Sequence, residues 1–223
     1  MCGRFAFYSP AEATAALFHV IADAEYAPRY NIAPTQDIAA LRVGSAGGVE
    51  LAALRWGLVP FWAKDVSIGN RMINARAETV AEKPAFRSAF RRRRCAILAD
   101  GFYEWVRQDA VKQPYFICRQ DQQAMAFAGL WEDWTGKETG ENLQTATIVT
   151  TAANEFMQGL HQRMPVILTP TNVGDWLTSA DSLPQDFAEQ APTLKAWPVS
   201  RQVNSPANDE ASLLDAVGED YEP

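Results

Sequence analysis

Cysteine stands at position 2, directly behind Met1. A residue this small permits the methionine to be trimmed, which leaves an α-amino group and a thiol on one residue, a 1,2-aminothiol. The amine of a chain terminus has a pKa of about 8, so part of it is neutral at physiological pH and attacks an aldehyde to give a Schiff base. The thiol is then placed to close a five-membered thiazolidine. Position alone does not decide the matter, because a cysteine is also a small apolar residue that suits the start of an edge strand.

The company of Cys2 carries more. Cys2-Gly3-Arg4-Phe5 is followed, in order, by Arg29-Tyr30-Asn31-Ile32-Ala33-Pro34-Thr35, Trp56-Gly57-Leu58-Val59-Pro60-Phe61-Trp62, Asn74-Ala75-Arg76-Ala77-Glu78-Thr79, Asp100-Gly101-Phe102-Tyr103-Glu104-Trp105 and His161-Gln162-Arg163-Met164-Pro165. Each segment is unspecific by itself, but six in register are specific. Together they resemble the SOS-response-associated peptidase (SRAP) family, proteins that process abasic sites in single-stranded DNA, over residues 2–201.

The resemblance implies a role for each matching residue. Cys2 would bond covalently to the ring-opened aldehyde, with Asn74, Glu104 and His161 as its catalytic partners. Arg4, Arg76 and Arg163 would contact phosphates, a task for which a guanidinium fork is well shaped. Pro34, Phe61 and Trp62 would lie in loops flanking the DNA, where an aromatic face can stack on an unpaired base. The expected product is a thiazolidine cross-link that protects the strand in the DNA damage response, with weak lyase activity leaking from the Schiff base. The family name adds a peptidase activity, here the removal of Met1.

Each of these residues also has a plainer reading. Asn74 suits a turn. Glu104, in the alternation Tyr103-Glu104-Trp105, could be an outward carboxylate on a strand, or a proton carrier set among aromatic rings. His161 could be a satisfied core histidine, and Trp62 a core tryptophan. His19, the only other histidine, is given no role.

Two rivals from other classes stand beside the cross-linking reading. N-terminal-cysteine amidohydrolases also begin Met-Cys-Gly but attack an amide carbonyl, and none of their downstream motifs is present. A noncatalytic single-stranded DNA-binding module would use the arginines and aromatics alone. No cofactor is implied, since condensing an amine with an aldehyde needs neither metal nor nucleotide. The partner expected is single-stranded DNA containing abasic sites, bound by a monomer in the cytoplasm without a membrane.

These side chains must be positioned by a fold, and 223 residues with 48% apolar content suffice to bury one core. Cys2, Cys95 and Cys118 are too few and too irregularly spaced for a disulfide framework or a zinc site. No apolar run is long enough to span a membrane. The net charge of −7 argues against DNA until its distribution is seen. Cations gather between Arg55 and Arg94, while acids from Asp175 to Glu222 account for the low pI.

Short strands with interspersed helices suggest an α+β domain with a mainly antiparallel, barrel-like β core flanked by short helices. Ser9-Pro10-Ala11-Glu12 caps a helix expected to reach Ala24. Residues 30–34 read as a loop. Residues 38–43 and 49–56 form a hairpin about Gly44-Ser45-Ala46-Gly47-Gly48, and 83–94 a basic helix whose Arg91 to Arg94 run is a solvated end. Strands are expected at 95–99, 101–106, 115–119, 124–131, 146–151 and 166–168. The family-like domain is set at 1–204, and 205–223 is expected to be a loosely packed acidic tail.

Overall fold

Apolar runs broken every few residues by glycine, proline and aspartate leave little room for long helices, and strands dominate the fold. A computed structural model describes residues 2–18, 26–108, 111–178 and 191–223. The first half contains β1 (Phe5–Phe7), α1 (Ala11–Phe18), β2 (Arg29–Ile32), β3 (Asp37–Val43), β4 (Val49–Trp56), β5 (Asn74–Arg76), α2 (Arg87–Arg92) and β6 (Arg94–Ala99). The second contains β7 (Gly101–Gln108), β8 (Val111–Arg119), β9 (Met125–Thr135), β10 (Asn142–Ala152), α3 (Glu155–Gln158), β11 (Arg163–Pro165), β12 (Ile167–Leu168), α4 (Val173–Thr178) and β13 (Leu194–Pro198).

Strands β4, β3, β6, β9 and β10 pair in sequence, and β10 returns to β4 to close a five-membered barrel. A closed ring with an odd number of strands cannot alternate direction throughout, so one neighbouring pair must be parallel. That pair is β4 with β10, while the other four are antiparallel. The second sheet, ordered β13-β8-β7-β1-β2, is antiparallel at every pairing. The expected α+β, mainly antiparallel, barrel-like core with short helices is what the chain forms.

The two sheets are joined by an aromatic seam. Phe5 of β1 packs edge-on against Trp56 and Phe127 of the barrel at 5.2 and 5.8 Å between ring centroids, and Phe102 of β7 meets Phe127 at 5.9 Å. Such pairs contribute about 0.5–1.5 kcal/mol each beyond the area they bury. The chain passes from barrel to second sheet at Asp100-Gly101. Only glycine fits there, because a Cβ on Gly101 would lie 2.3 Å from Phe116 and 2.6 Å from the carbonyl oxygen of Ile117.

Several expectations need correction. The segment 30–34 is mostly strand, because Phe5 pairs with Ile32 and the N–H groups of Tyr30 and Asn31 donate to Asp209. The helix expected over 83–94 is confined to Arg87–Arg92, since residues 83–86 form a turn holding Pro84, and Arg94 starts β6. Residues 205–223 are not loosely packed. Leu213 is fully buried, Trp197 donates its indole N–H to the Leu214 carbonyl at 2.7 Å, and Tyr221 packs against Tyr115 and Phe156. The helix end expected at Ala24 and His19 lie outside the described residues.

Candidate active site

Cys2 lies three residues before Phe5, so the aromatic seam that joins the sheets also fixes the start of the chain. It is fully buried, and its thiol sits 3.9 Å from the Arg4 carbonyl oxygen. Burial first, and then the negative charge of Glu104, push the thiol far above its ordinary pKa. Cys2 therefore carries a neutral thiol at physiological pH. Glu104 reaches it from β7, whose Phe102 is paired with Phe5, and the Tyr103 N–H donates to the Arg4 carbonyl at 2.9 Å. The carboxylate is 4% exposed, which rules out the outward-facing reading of the Tyr103-Glu104-Trp105 alternation.

Arg4 is half-buried and anchored. One terminal nitrogen donates to Asn31 Oδ1 at 2.7 Å and to the Val203 carbonyl at 2.8 Å, and burial pulls the guanidinium below its usual pKa. Asn31 is itself fully buried and donates through Nδ2 to the carbonyls of Val203, Ser205 and Asn208. The C-terminal segment thus reaches back to hold an arginine two residues from Cys2. Asp209 completes the clamp, accepting from the backbone of Tyr30 and Asn31 and pairing with Arg29.

The other candidate residues are arranged by β10, which outgrows the barrel. Beyond Ala146 it takes up β5 on one edge and β11 on the other, so that Thr150 lies opposite both Arg76 and Pro165. Residues two apart on a strand share a face, so Asn74 and Arg76 point together while Ala75 is buried behind them. Asn74 Nδ2 donates to the Cys2 carbonyl at 2.8 Å, which ties the barrel side of the site to the chain start. Its role is a cross-sheet hydrogen bond, not a turn.

Arg163 of β11 grips Glu78 through both terminal nitrogens, and one of them also donates to the Thr150 carbonyl at 2.7 Å. This guanidinium holds the Glu78 carboxyl below the usual range. His161, half-buried, accepts the Arg163 backbone N–H at Nδ1 over 2.9 Å. The same Nδ1 lies 3.0 Å from the Arg163 carbonyl oxygen, so the backbone of Arg163 fixes the orientation of the ring while either tautomer finds a partner.

Next to Asn74 is a cavity of about 580 Å³ lined by Trp62, Arg71, Asn74, Arg76, Lys83 and Phe86, among others. Three cations face it and, among the described residues, no carboxylate lines it. Trp62 is 46% exposed and Phe61 56%, so the core reading of Trp62 does not hold. Pro34 is half-buried on a separate turn, whose Thr35 N–H donates to the Trp56 carbonyl at 2.8 Å. It does not line the cavity.

Sequence reasoning missed Asn31, Glu78, Asp209, Arg71 and Lys83. Asn31 and Glu78 lie inside the matched segments, so attention to every polar residue there would have found them. Asp209 has no local signal, because its partners are far away in the chain. The Arg91 to Arg94 run divides. Arg91 and Arg92 are exposed, while Arg93 pairs with the buried Glu132 at 2.7 Å and buried Arg94 stacks over Phe90 and Trp176 at 4.2 and 4.4 Å. Cys95 and Cys118 are buried, as their apolar surroundings imply.

Comparison with known proteins gives the chain its family. The family described as "SOS response associated peptidase (SRAP)" matches residues 1–206. "Abasic site processing protein YoaM" of Bacillus subtilis is 45% identical over 97% of this chain and 98% of its own. "Abasic site processing protein YedK" of Escherichia coli is 31% identical over 97% of this chain and 100% of its own. A crystal structure of a Bacteroides thetaiotaomicron protein shares the fold at a TM-score of 0.80 and 24% identity, covering 97% of this chain and 100% of that one. A second, from Bordetella bronchiseptica, has a TM-score of 0.75 at 27% identity, covering 89% and 100%. The chain belongs to the SOS response associated peptidase family.

Proposed function

We propose that this protein processes abasic sites in single-stranded DNA by cross-linking to them through Cys2, after Met1 has been removed. The observation that carries the reading is the junction at Cys2. A single residue touches Asn74 through its carbonyl and feels the charge of Glu104 at its thiol, beside an open cavity with a cationic wall. The names of the relatives, which process abasic sites, supply the substrate class.

The chemistry follows from the groups present. The freed, neutral α-amine of Cys2 adds to the ring-opened aldehyde, and with one proton taken up from solvent one water leaves, giving an iminium. The sulfur then adds to the iminium carbon, and the S–H proton passes to the Glu104 carboxylate. A thiazolidine remains. Its closure removes the iminium that would otherwise favour β-elimination, so strand cleavage is the minor outcome. His161, its ring oriented by the Arg163 backbone, serves to open the deoxyribose ring. Asn74, which lines the cavity, holds the Cys2 backbone through its carbonyl. Arg76 and Arg163, with Arg4, position the backbone of the strand. Removal of Met1 is assigned to the same site, with the Cys2 thiol as nucleophile.

Denaturing gel electrophoresis tests this reading. Parent protein mixed with single-stranded DNA carrying one abasic site should give a heat-stable shifted band, and intact DNA should give none. Cys2→Ser keeps an amine without a thiol, and should give a band only when a hydride reductant traps the iminium. A parent protein that binds the strand yet forms no band would leave a noncovalent DNA-binding module.

A further inference from the structure

The four consecutive arginines are not equivalent, and the pair left exposed forms part of a larger pattern. Lys83, Arg87 and Arg91 are spaced four residues apart, and the Arg87 N–H donates to the Lys83 carbonyl at 2.9 Å, one helical turn back. Arg87 and Arg91, one helical turn apart, share a face of α2, and Lys83 stands in the turn that leads into it. Lys83 lines the cavity beside Asn74. Arg87, Arg91 and Arg92 line a second concavity of about 440 Å³, together with Ala81, Glu82 and Ser88. The stripe thus runs out of one concavity and into the next.

Its cations are not used internally. Among the described residues the guanidinium groups of Arg87, Arg91 and Arg92 make no hydrogen bond or ion pair, although Glu82 shares their concavity. Arg93 and Arg94 next to them are engaged inward, with Glu132 and with the rings of Phe90 and Trp176. Favourable placement at a helix C-terminus accounts for Arg91 and Arg92. It does not account for Arg87, which opens α2 where the helix dipole opposes a cation and where no acid sits in the first turn. In a chain of net charge −7, such a cluster is a local exception.

We infer that Arg87, Arg91 and Arg92 bind the phosphates of the single strand as it leaves the Asn74 cavity past Lys83. This extends the contact beyond the abasic nucleotide and rests on the DNA reading above. The extension is electrostatic and independent of sequence, since side chains on an open concavity meet backbone and not base edges.

The test is equilibrium binding of the full chain to a labelled, undamaged single-stranded oligonucleotide across a range of salt. Each phosphate contact on a single strand contributes about −0.7 to the slope of log K against log salt, so Arg87→Gln/Arg91→Gln/Arg92→Gln should flatten that slope by about 2. Glu82→Gln, which removes the one acid of the concavity, should tighten binding a few-fold and guards against a triple variant that fails to fold. A slope unchanged in the triple variant, or Glu82→Gln without effect, overturns the inference. The adduct with an abasic strand is scored separately. An adduct in the parent with no change in slope sinks only the phosphate patch, whereas a flattened slope with no adduct sinks only the covalent reading.

Discussion

The two halves of the site are built in opposite ways. Cys2, Arg4 and Glu104 come from the five-stranded sheet and its leading segment, and each is buried or half-buried and held by its neighbours. Asn74, Arg76 and Trp62 come from the barrel and its loops, and they face an open cavity, with Arg76 and Trp62 exposed. The difference matches the division of labour that the proposed function requires. A covalent step needs groups fixed within a fraction of an ångström, which dense packing provides. A polymer must enter and leave, which an accessible cationic wall allows.

The largest effect expected from breaking the held half is at its first residue. Cys2→Ala should abolish the heat-stable adduct while salt-sensitive DNA binding persists, read on denaturing and native gels from the same samples. Next comes the clamp behind Arg4. Asn31→Ala removes the acceptor for Arg4 and leaves the carbonyls of Ser205 and Asn208 without their buried donor. This should cost about 3 kcal/mol and lower the melting temperature by roughly 6–12 °C. A melting temperature equal to that of the parent would show that the C-terminal segment does not brace the site.

The open half should respond the other way. Arg76→Ala is expected to leave the melting temperature within about 2 °C, because a surface substitution away from buried networks shifts stability little. It should flatten the salt dependence of single-strand binding by about 0.7. An Arg76 variant that unfolds early would blur the contrast between the halves.

The smallest effect lies at Glu78, whose carboxyl Arg163 holds below the usual range. A depressed carboxyl stabilises the fold above its unfolded pKa of about 4.3, and that contribution is lost as the pH falls through the lower folded value. Glu78 is half exposed, so the pair is worth less than about 1 kcal/mol. The melting temperature of Glu78→Gln should fall slightly below the parent's at pH 7 and converge with it in acid. A gap that widens in acid would contradict the assignment.

The same contrast separates what the sequence reveals from what it hides. Features set by neighbours were legible: the hairpin of β3 and β4 about its glycine turn, and the apolar run at β6. Features set by distant partners were not. The segment 30–34 reads as a loop until Asp209 is seen to take its N–H groups, and 205–223 reads as an acidic tail until Asn31 is seen to bind it. Glu104 shows the limit of alternation, because β7 lies in the middle of its sheet, between β1 and β8, and both faces of it are covered. Arg93 and Arg94 show the limit of charge counting, since the sequence cannot say which arginines of a run turn inward.

The most direct measurement of the central claim is mass spectrometry of the proteolysed adduct between the protein and an abasic single strand. The account requires the DNA remnant on a peptide that begins at Cys2, lacks Met1, and carries the mass of one aldehyde condensed with loss of one water. The cavity next to Asn74 is itself lined by an amine, that of Lys83. A remnant on Lys83, or on a peptide still bearing Met1, would contradict the account.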